Sequence, residues 1–331
     1  MNIFLTLDYE IFFGEQHGSV QNCMIKTTNL LLEITKRTGA RMTYFIDIGH
    51  VLKLEEYKGQ FPELEEDYLA IKKQVKELVK QGNDCQLHIH PHWEDTTYQN
   101  GKWKFDISRY KLSSFSPSQI DEIVGRYKSK LEELTQKPVT SYRAGGWCLQ
   151  PFNLFSEIFN KHGLKLDSTV FKNGVKKDDV YFYDFSDCPD KTRWLINDDL
   201  TKEDKDGDLL EIPISSYTYK PFFFWQLFGW GKLFPSKHKP LGKGYPLSSG
   251  GDGKKKLLTQ KNTLPVSLEG YFAKKLPHAL KYNQSLNNGN DFVVIGHPKA
   301  LTLYSVKQLE KFINKVKNEH TFKTFSDVKV D

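Results

Sequence analysis

The sequence predicts an α/β fold in which a parallel sheet is closed, or nearly closed, into a barrel. Three observations lead there. Short strand-like apolar runs alternate with helix-like ones through the first half of the chain. The side chains able to do chemistry stand at the C-terminal ends of those runs, where the loops of a parallel βα barrel converge. One stretch, 217–256, breaks the alternation with aromatics, glycines, prolines and lysines, and reads as an insertion over the barrel or projecting from it.

The elements follow in order. Residues 2–8 read as the first strand, and 22–37 as a helix ending near Gly39. Met42 to Asp47 is a second strand, followed by an acidic-then-basic helix near 64–80. Asp84 to His90 is the third strand. Ser116 is a candidate N-cap for a helix from Pro117 to Leu134. A short strand at Thr140–Arg143, a helix at 151–162 and a strand at Leu164–Asp167 come next. Strands at 209–214 and 291–296, a helix at 305–318 and a strand at 321–325 complete the pattern. With no internal repeat and no linker visible, residues 1–331 are expected to form one domain, with the insertion or lid at about 217–256.

With 38% apolar residues the chain can bury a large core. The net charge of +6 is mild, and the lysines are scattered except for Lys254-Lys255-Lys256. Without a basic stripe or base-stacking motif, nucleic acid is not expected as a partner, whereas anionic substrates remain compatible. The four cysteines (Cys23, Cys85, Cys148, Cys188) are far apart and form no C-x-x-C pair. They read as reduced thiols, not as a disulfide framework or zinc ribbon. No secretory signal is visible, and no segment approaches the ~18 apolar residues of a membrane span. A cytoplasmic protein is expected.

Three imidazoles fall within five residues in His88-Ile89-His90-Pro91-His92. Histidine is the commonest side-chain ligand of catalytic transition metals, so the cluster points to a metal centre. On a straight strand His88 and His92 would be ~13 Å apart, too far to share an ion. A bend at Pro91 could bring them together. Asp8 and Glu10, two apart, face one side of the first strand. Beside a metal, one carboxylate can ligate while the other takes a proton from water. Arg143 precedes Gly145-Gly146, where backbone can approach a ligand and a free N–H can face an oxyanion. Asp167 and His297 each end a strand, where a capping or structural role is the alternative.

In this order the positions resemble the polysaccharide deacetylase family, the NodB-homology carbohydrate esterases, over roughly 2–171 and 209–325. Asp8 in Thr6-Leu7-Asp8-Tyr9-Glu10 looks like its first motif, and His88 with His92 like its His-x-x-x-His metal pair. Arg143-Ala144-Gly145-Gly146 occupies the place of its arginine–proline turn, without the proline. Asp167 is similar to the aspartate of the fourth motif, and Ile295-Gly296-His297 to the final Leu-x-His. The resemblance implies a distorted (β/α)7-type barrel and a hydrolase acting on carbon–nitrogen (non-peptide) bonds. It would remove an N- or O-acetyl group from a sugar with a metal-bound water.

The implied ligands of a divalent metal, zinc foremost, are Glu10, His88 and His92. Asp8 would be the base, and Arg143 would hold it ionised. His297 would be the acid, with Asp167 supporting it, and a backbone N–H near Gly146 would meet the oxyanion. Tyr9 stands where the family has a second aspartate, so the roles of Asp8 and Glu10 can also be reversed. His90 has no family role and reads as supporting the ligands or facing substrate.

A chain without a visible export signal suggests a nucleotide- or lipid-linked precursor of surface polysaccharide (lipopolysaccharide or capsule) as substrate. The aromatic, lysine-rich 220–256 stretch fits a membrane interface, at the inner face of the membrane, or a lid over the sugar. Two other classes stay open. One is an amidohydrolase acting on a non-sugar amide such as a cyclic imide or ureide. The other is a silent carbohydrate-binding or scaffold protein on the same barrel. The altered first motif favours the silent protein, and the retained His88, His92, Arg143, Asp167 and His297 oppose it.

Overall fold

The apolar runs form the centre of one curved sheet. In the computed structural model, which describes residues 1–245 and 252–330, five parallel strands lie side by side. They are β1 (Asn2–Tyr9), β2 (Thr43–Asp47), β3 (Asp84–Ile89), β4 (Ser141–Ala144) and β5 (Leu166–Asp167). β6 (Trp194–Ile196), β7 (Leu209–Glu211), β8 (Asp291–Gly296) and β9 (Thr321–Lys323) extend it to nine strands. The order is β6-β7-β5-β4-β3-β2-β1-β8, with β9 also on β1. Among the described residues of this sheet, only β6 and β7 pair antiparallel.

The sheet curls until irregular backbone bridges its ends. Beyond β7, the Ser215 N–H donates to the Val293 carbonyl of β8 (3.0 Å). Val266 then links the two sides, donating to Ser215 (2.7 Å) and accepting from Ile295 (3.0 Å). The result is the expected distorted barrel. Every residue of β2, β3 and β8 is buried, because helices cover one face and the barrel interior the other.

The outer layer comprises α1 (Lys26–Thr38), α2 (Ile48–Tyr57), α3 (Pro62–Lys80), α4 (Pro117–Thr135) and α5 (Ser156–Lys161). α4 opens on a complete capping box. Ser116 Oγ accepts from the Gln119 N–H, and the Gln119 side chain accepts from the Ser116 N–H (3.0 Å). The sequence did not foreshadow α2. It follows Asp47 with no intervening turn, so strand and helix patterns run together.

The interruption at 217–256 folds as α6 (Pro221–Leu233), α7 (Pro235–His238) and α8 (Asp252–Thr259), after a hairpin strand Ser216–Tyr219 paired with Asn262–Pro265. Positions 246–251 of this stretch lie outside the described residues. Phe223 and Phe224 of α6 pack with Tyr219 and Tyr271 in a small aromatic cluster of their own. α9 (Leu276–Leu286) and α10 (Leu303–Val316) return the chain to the barrel wall.

Candidate metal and acid–base centre

The period of β1 sorts its last residues. Tyr9 points outward, its hydroxyl donating to Gln74 of α3 (2.6 Å), so Asp8 and Glu10 face the barrel mouth together. Both carboxylates are buried, and each has a cation of its own. Arg143, at the end of β4, donates from Nη1 to Asp8 Oδ1 (2.7 Å) and to Thr6 Oγ1 (2.9 Å). Its Nε donates to the Ser168 carbonyl (2.8 Å), and its guanidinium lies over Phe45. Lys299, just past β8, donates from Nζ to Glu10 Oε1 (2.7 Å) and to the Ile11 carbonyl (2.8 Å).

These cations decide the charge state. Burial alone would raise the Asp8 carboxyl, but Arg143, with His88 and His297, outweighs it and holds the group below its ordinary value. Burial would likewise raise Glu10, yet Lys299, His90 and His88 hold it well below the usual carboxylate range.

The histidines divide at Pro91. β3 runs straight into His90, so His88 and His90 share a face, with ring centroids 4.7 Å apart. Pro91 then starts a 3-10 turn, Pro91–Glu94, which carries His92 aside. The His88 Nδ1 lies 2.8 Å from the Arg143 carbonyl, which can only accept. In the neutral ring the proton is therefore on Nδ1, and Nε2 offers its lone pair 3.4 Å from Glu10 Oε2. His90 Nε2 is 2.6 Å from the same oxygen. Gly145 makes room for that ring: a Cβ there would meet His90 Nδ1 at 2.5 Å and the Ile89 carbonyl at 2.6 Å.

A divalent cation fits these atoms. One ligand atom each from Glu10, His88 and His90 all lie within 4.8 Å of one another. Glu10 Oε2 and both nitrogens of His90 are buried with no partner in hydrogen-bonding geometry, which a folded chain rarely tolerates unless something else meets them. One carboxylate and two imidazoles form a common catalytic zinc donor set.

Across the cleft, His297 ends β8 with its side chain 24% exposed. Its Nδ1 lies 2.5 Å from Glu269 Oε1, and its Nε2 lies 3.5 Å from both Asp8 Oδ2 and Glu10 Oε1. Burial would lower this imidazole, but Glu269, with Asp8 and Glu10, raises it above its ordinary value. The whole set opens into a cleft of about 470 Å³ walled by Tyr110, Trp147, Tyr181 and Tyr245.

Several solved structures share this architecture, each aligned over 98% of the present chain. A protein assigned as a glycoside hydrolase/deacetylase from Parabacteroides distasonis superposes with a TM-score of 0.55 at 10% identity, over 70% of its own chain. A protein assigned as a polysaccharide deacetylase from Mycobacterium smegmatis gives 0.52 at 14% identity, over 87% of its chain. The chain has the polysaccharide deacetylase fold. Puue allantoinase shares it too, with a TM-score of 0.51 at 11% identity over 88% of its chain. The sequence itself matches no family model and no curated relative.

On this deacetylase fold two of the expected residues lie apart from the partners the resemblance implied. His92 stays outside the Glu10–His88–His90 group, its nitrogens also buried without a partner, because the turn at Pro91 lays its ring flat on Tyr110 (5.4 Å, 8°) and edgewise on Phe13. Asp167 does not serve His297. It is fully buried behind the cleft, beside Glu211 on the neighbouring strand, and accepts from the Thr169 N–H (2.9 Å) and hydroxyl (2.8 Å). Thr169 Oγ1 in turn accepts from the Ala144 N–H (3.0 Å), so Asp167 braces the turn after Arg143.

Glu269, Lys299 and Asp47 were not foreseen. Asp47 sits opposite His88 in the β2–β3 register and accepts from Trp93 Nε1 (2.7 Å). Burial, with Glu10 nearby, pushes it up to about 7. Lys299, two residues after His297 on the same strand exit, carried a readable signal. Glu269 comes from irregular backbone and carried none.

Proposed function

We propose that the protein is a metal-dependent deacetylase acting on an N-acetylated sugar. The observation that carries this reading is the convergence, in one aromatic-walled cleft, of a Glu10–His88–His90 donor set in which Glu10 Oε2 and the His90 nitrogens are unpartnered, an ionised Asp8 and a raised His297. Glu10, His88 and His90 would hold the metal, zinc being the first candidate. Such an ion, when bound, supplies Lewis acidity and a water of lowered pKa.

The chain's own groups do the rest. Asp8, kept ionised and aimed by Arg143, takes the proton of the attacking water. Lys299 occupies Glu10 Oε1, which leaves Oε2 for ligation. His297, held protonated by Glu269, delivers a proton to the departing amine, an assistance usually worth ~10²–10⁴ in rate. The stacking faces of Tyr110, Trp147, Tyr181 and Tyr245 suit a pyranose ring, and Lys239 and Lys243 on the rim suit an anionic carrier. A sugar precursor linked to a nucleotide or lipid, as in the building of surface polysaccharide, meets both.

The likeness to an allantoinase favours one second reading, hydrolysis of a small cyclic ureide. The test is acetate release from N-acetylglucosamine oligomers and sugar phosphates by zinc-loaded protein, beside turnover of allantoin. Acetate release that Asp8→Asn abolishes, with zinc retained, supports the deacetylase. Allantoin turnover alone replaces it with the ureide reading, and no turnover with full zinc content leaves a binding protein.

A further inference from the structure

α6 is apolar on both sides. A helix of that kind is ordinarily buried all round. Here one side packs Phe223 and Phe224 into the aromatic cluster, while the other presents Phe222 (70% exposed), Trp225 (60%) and Leu233 (70%) to solvent. Their spacing, with Gly229 between, places them on a single face. Trp230 in the last turn packs on Phe234 (ring centroids 5.3 Å), which carries the patch past the helix end. Five of the thirteen large apolar side chains exposed among the described residues fall within 222–234, so the exposure is concentrated on this helix and its end and not scattered.

The charge around it is as uneven. Residues 212–268 contain nine lysines and one acid, Asp252, a net +8 in a chain whose total is +6. Lys220, Lys232, Lys237 and Lys254–Lys256 are exposed around the apolar face. Aromatic side chains rimmed by lysine are the composition that partitions into the headgroup region of anionic bilayers. No described helix is long and apolar enough to cross a membrane.

The patch is also tied to the cleft. From Leu233 the chain passes through α7 directly into Lys239, Lys243 and Tyr245, which line the cleft. That loop is fixed to the catalytic rim, with Leu241 N–H donating to Leu301 (2.8 Å) and Gly242 N–H to Lys299 (3.1 Å).

We propose that α6 and the turn after it dock on an anionic membrane surface and hold the cleft against it. The sugar taken there is then lipid-linked, a step that rests on the deacetylase reading above. The test is co-flotation of the full chain with vesicles of phosphatidylcholine alone or mixed with phosphatidylglycerol. It is run for the wild type and for the variant Phe222→Ser/Trp225→Ser/Leu233→Ser, which touches no cleft residue. Flotation with the mixed vesicles that weakens with salt, and falls about tenfold or more in the variant at unchanged melting temperature, supports docking.

The variant should also lose any preference for a lipid-anchored N-acetyl sugar while keeping its turnover of a soluble one. Flotation by a protein that hydrolyses neither still supports docking and counts against the deacetylase reading alone. Absence of flotation, equal flotation of the variant, or a dimer in solution that the variant dissolves would each overturn the proposal, the last in favour of a second copy of this chain.

Discussion

Asp8 and Glu10 at the end of β1, and Asp167 and Glu211 on β5 and β7, are both pairs of buried carboxylates in one sheet. Their surroundings push them in opposite directions. The first pair has Arg143 and Lys299 in direct contact, and both groups are held below their ordinary values despite burial. The second pair has no cation in direct contact: Arg143 acts on Asp167 only from a distance, and burial raises both groups, Glu211 most, because Asp167 is beside it. Of the two, Glu211 is the more strongly raised and so the more favoured site for a proton held by the pair. Its otherwise unpartnered Oε2 then becomes a hydroxyl able to donate to Asp167. Burial and strand-end position are common to both pairs, so it is the contacting cations that set them apart.

The comparison breaks first at Asp8. Asp8→Asn keeps the shape of the side chain and removes the base, so turnover should fall ~10²–10⁴-fold while zinc content is unchanged. Elemental analysis beside acetate release reads both, and a variant with near-normal turnover removes Asp8 from the mechanism. The metal side sharpens the same contrast. His88→Ala and His90→Ala should each weaken zinc binding by about a hundredfold, and His92→Ala by less than about threefold, in a competitive chelator titration. A His90→Ala protein that binds zinc normally would restore His92 as the ligand.

How much of this was legible follows from how far each signal reaches along the chain. β1, β3, β8 and the Ser116 cap were readable because apolar runs and capping residues are local. The shared face of Asp8 and Glu10 followed from strand period alone. That His90 and not His92 stands with Glu10 and His88 turned on whether the chain bends before or after Pro91, which the run His-Ile-His-Pro-His does not determine. Glu269 reaches His297 from irregular backbone 28 residues away, and Glu211 reaches Asp167 across a strand pair of only two registered residues. Such partners arise from tertiary packing, with no periodicity to announce them.

A smaller effect is expected where Glu269 supports the acid. Glu269→Gln removes the charge that raises His297, so turnover should fall about tenfold. The alkaline limb of the pH–rate profile should also shift to lower pH, because an acid must be protonated to act and its pKa has dropped. A purely structural Glu269 would lower turnover without moving that limb.

The smallest effect belongs to the pair with no cation in contact. Glu211 has a folded pKa above its unfolded value of ~4.3, so the native state binds the extra proton. Its contribution to stability is complete below that unfolded value and is lost as pH rises towards the folded one, at no more than about 1.4 kcal/mol per pH unit. Glu211→Gln keeps a donor for Asp167 and nothing to ionise. The variant should therefore melt close to wild type near pH 5 and above it at pH 9, with turnover on soluble substrate changed by less than about twofold. Parallel melting curves across that range would mean that Glu211 is ionised in the native protein. The pair would then need a cation after all, and the distinction between the two ends of the sheet would fail.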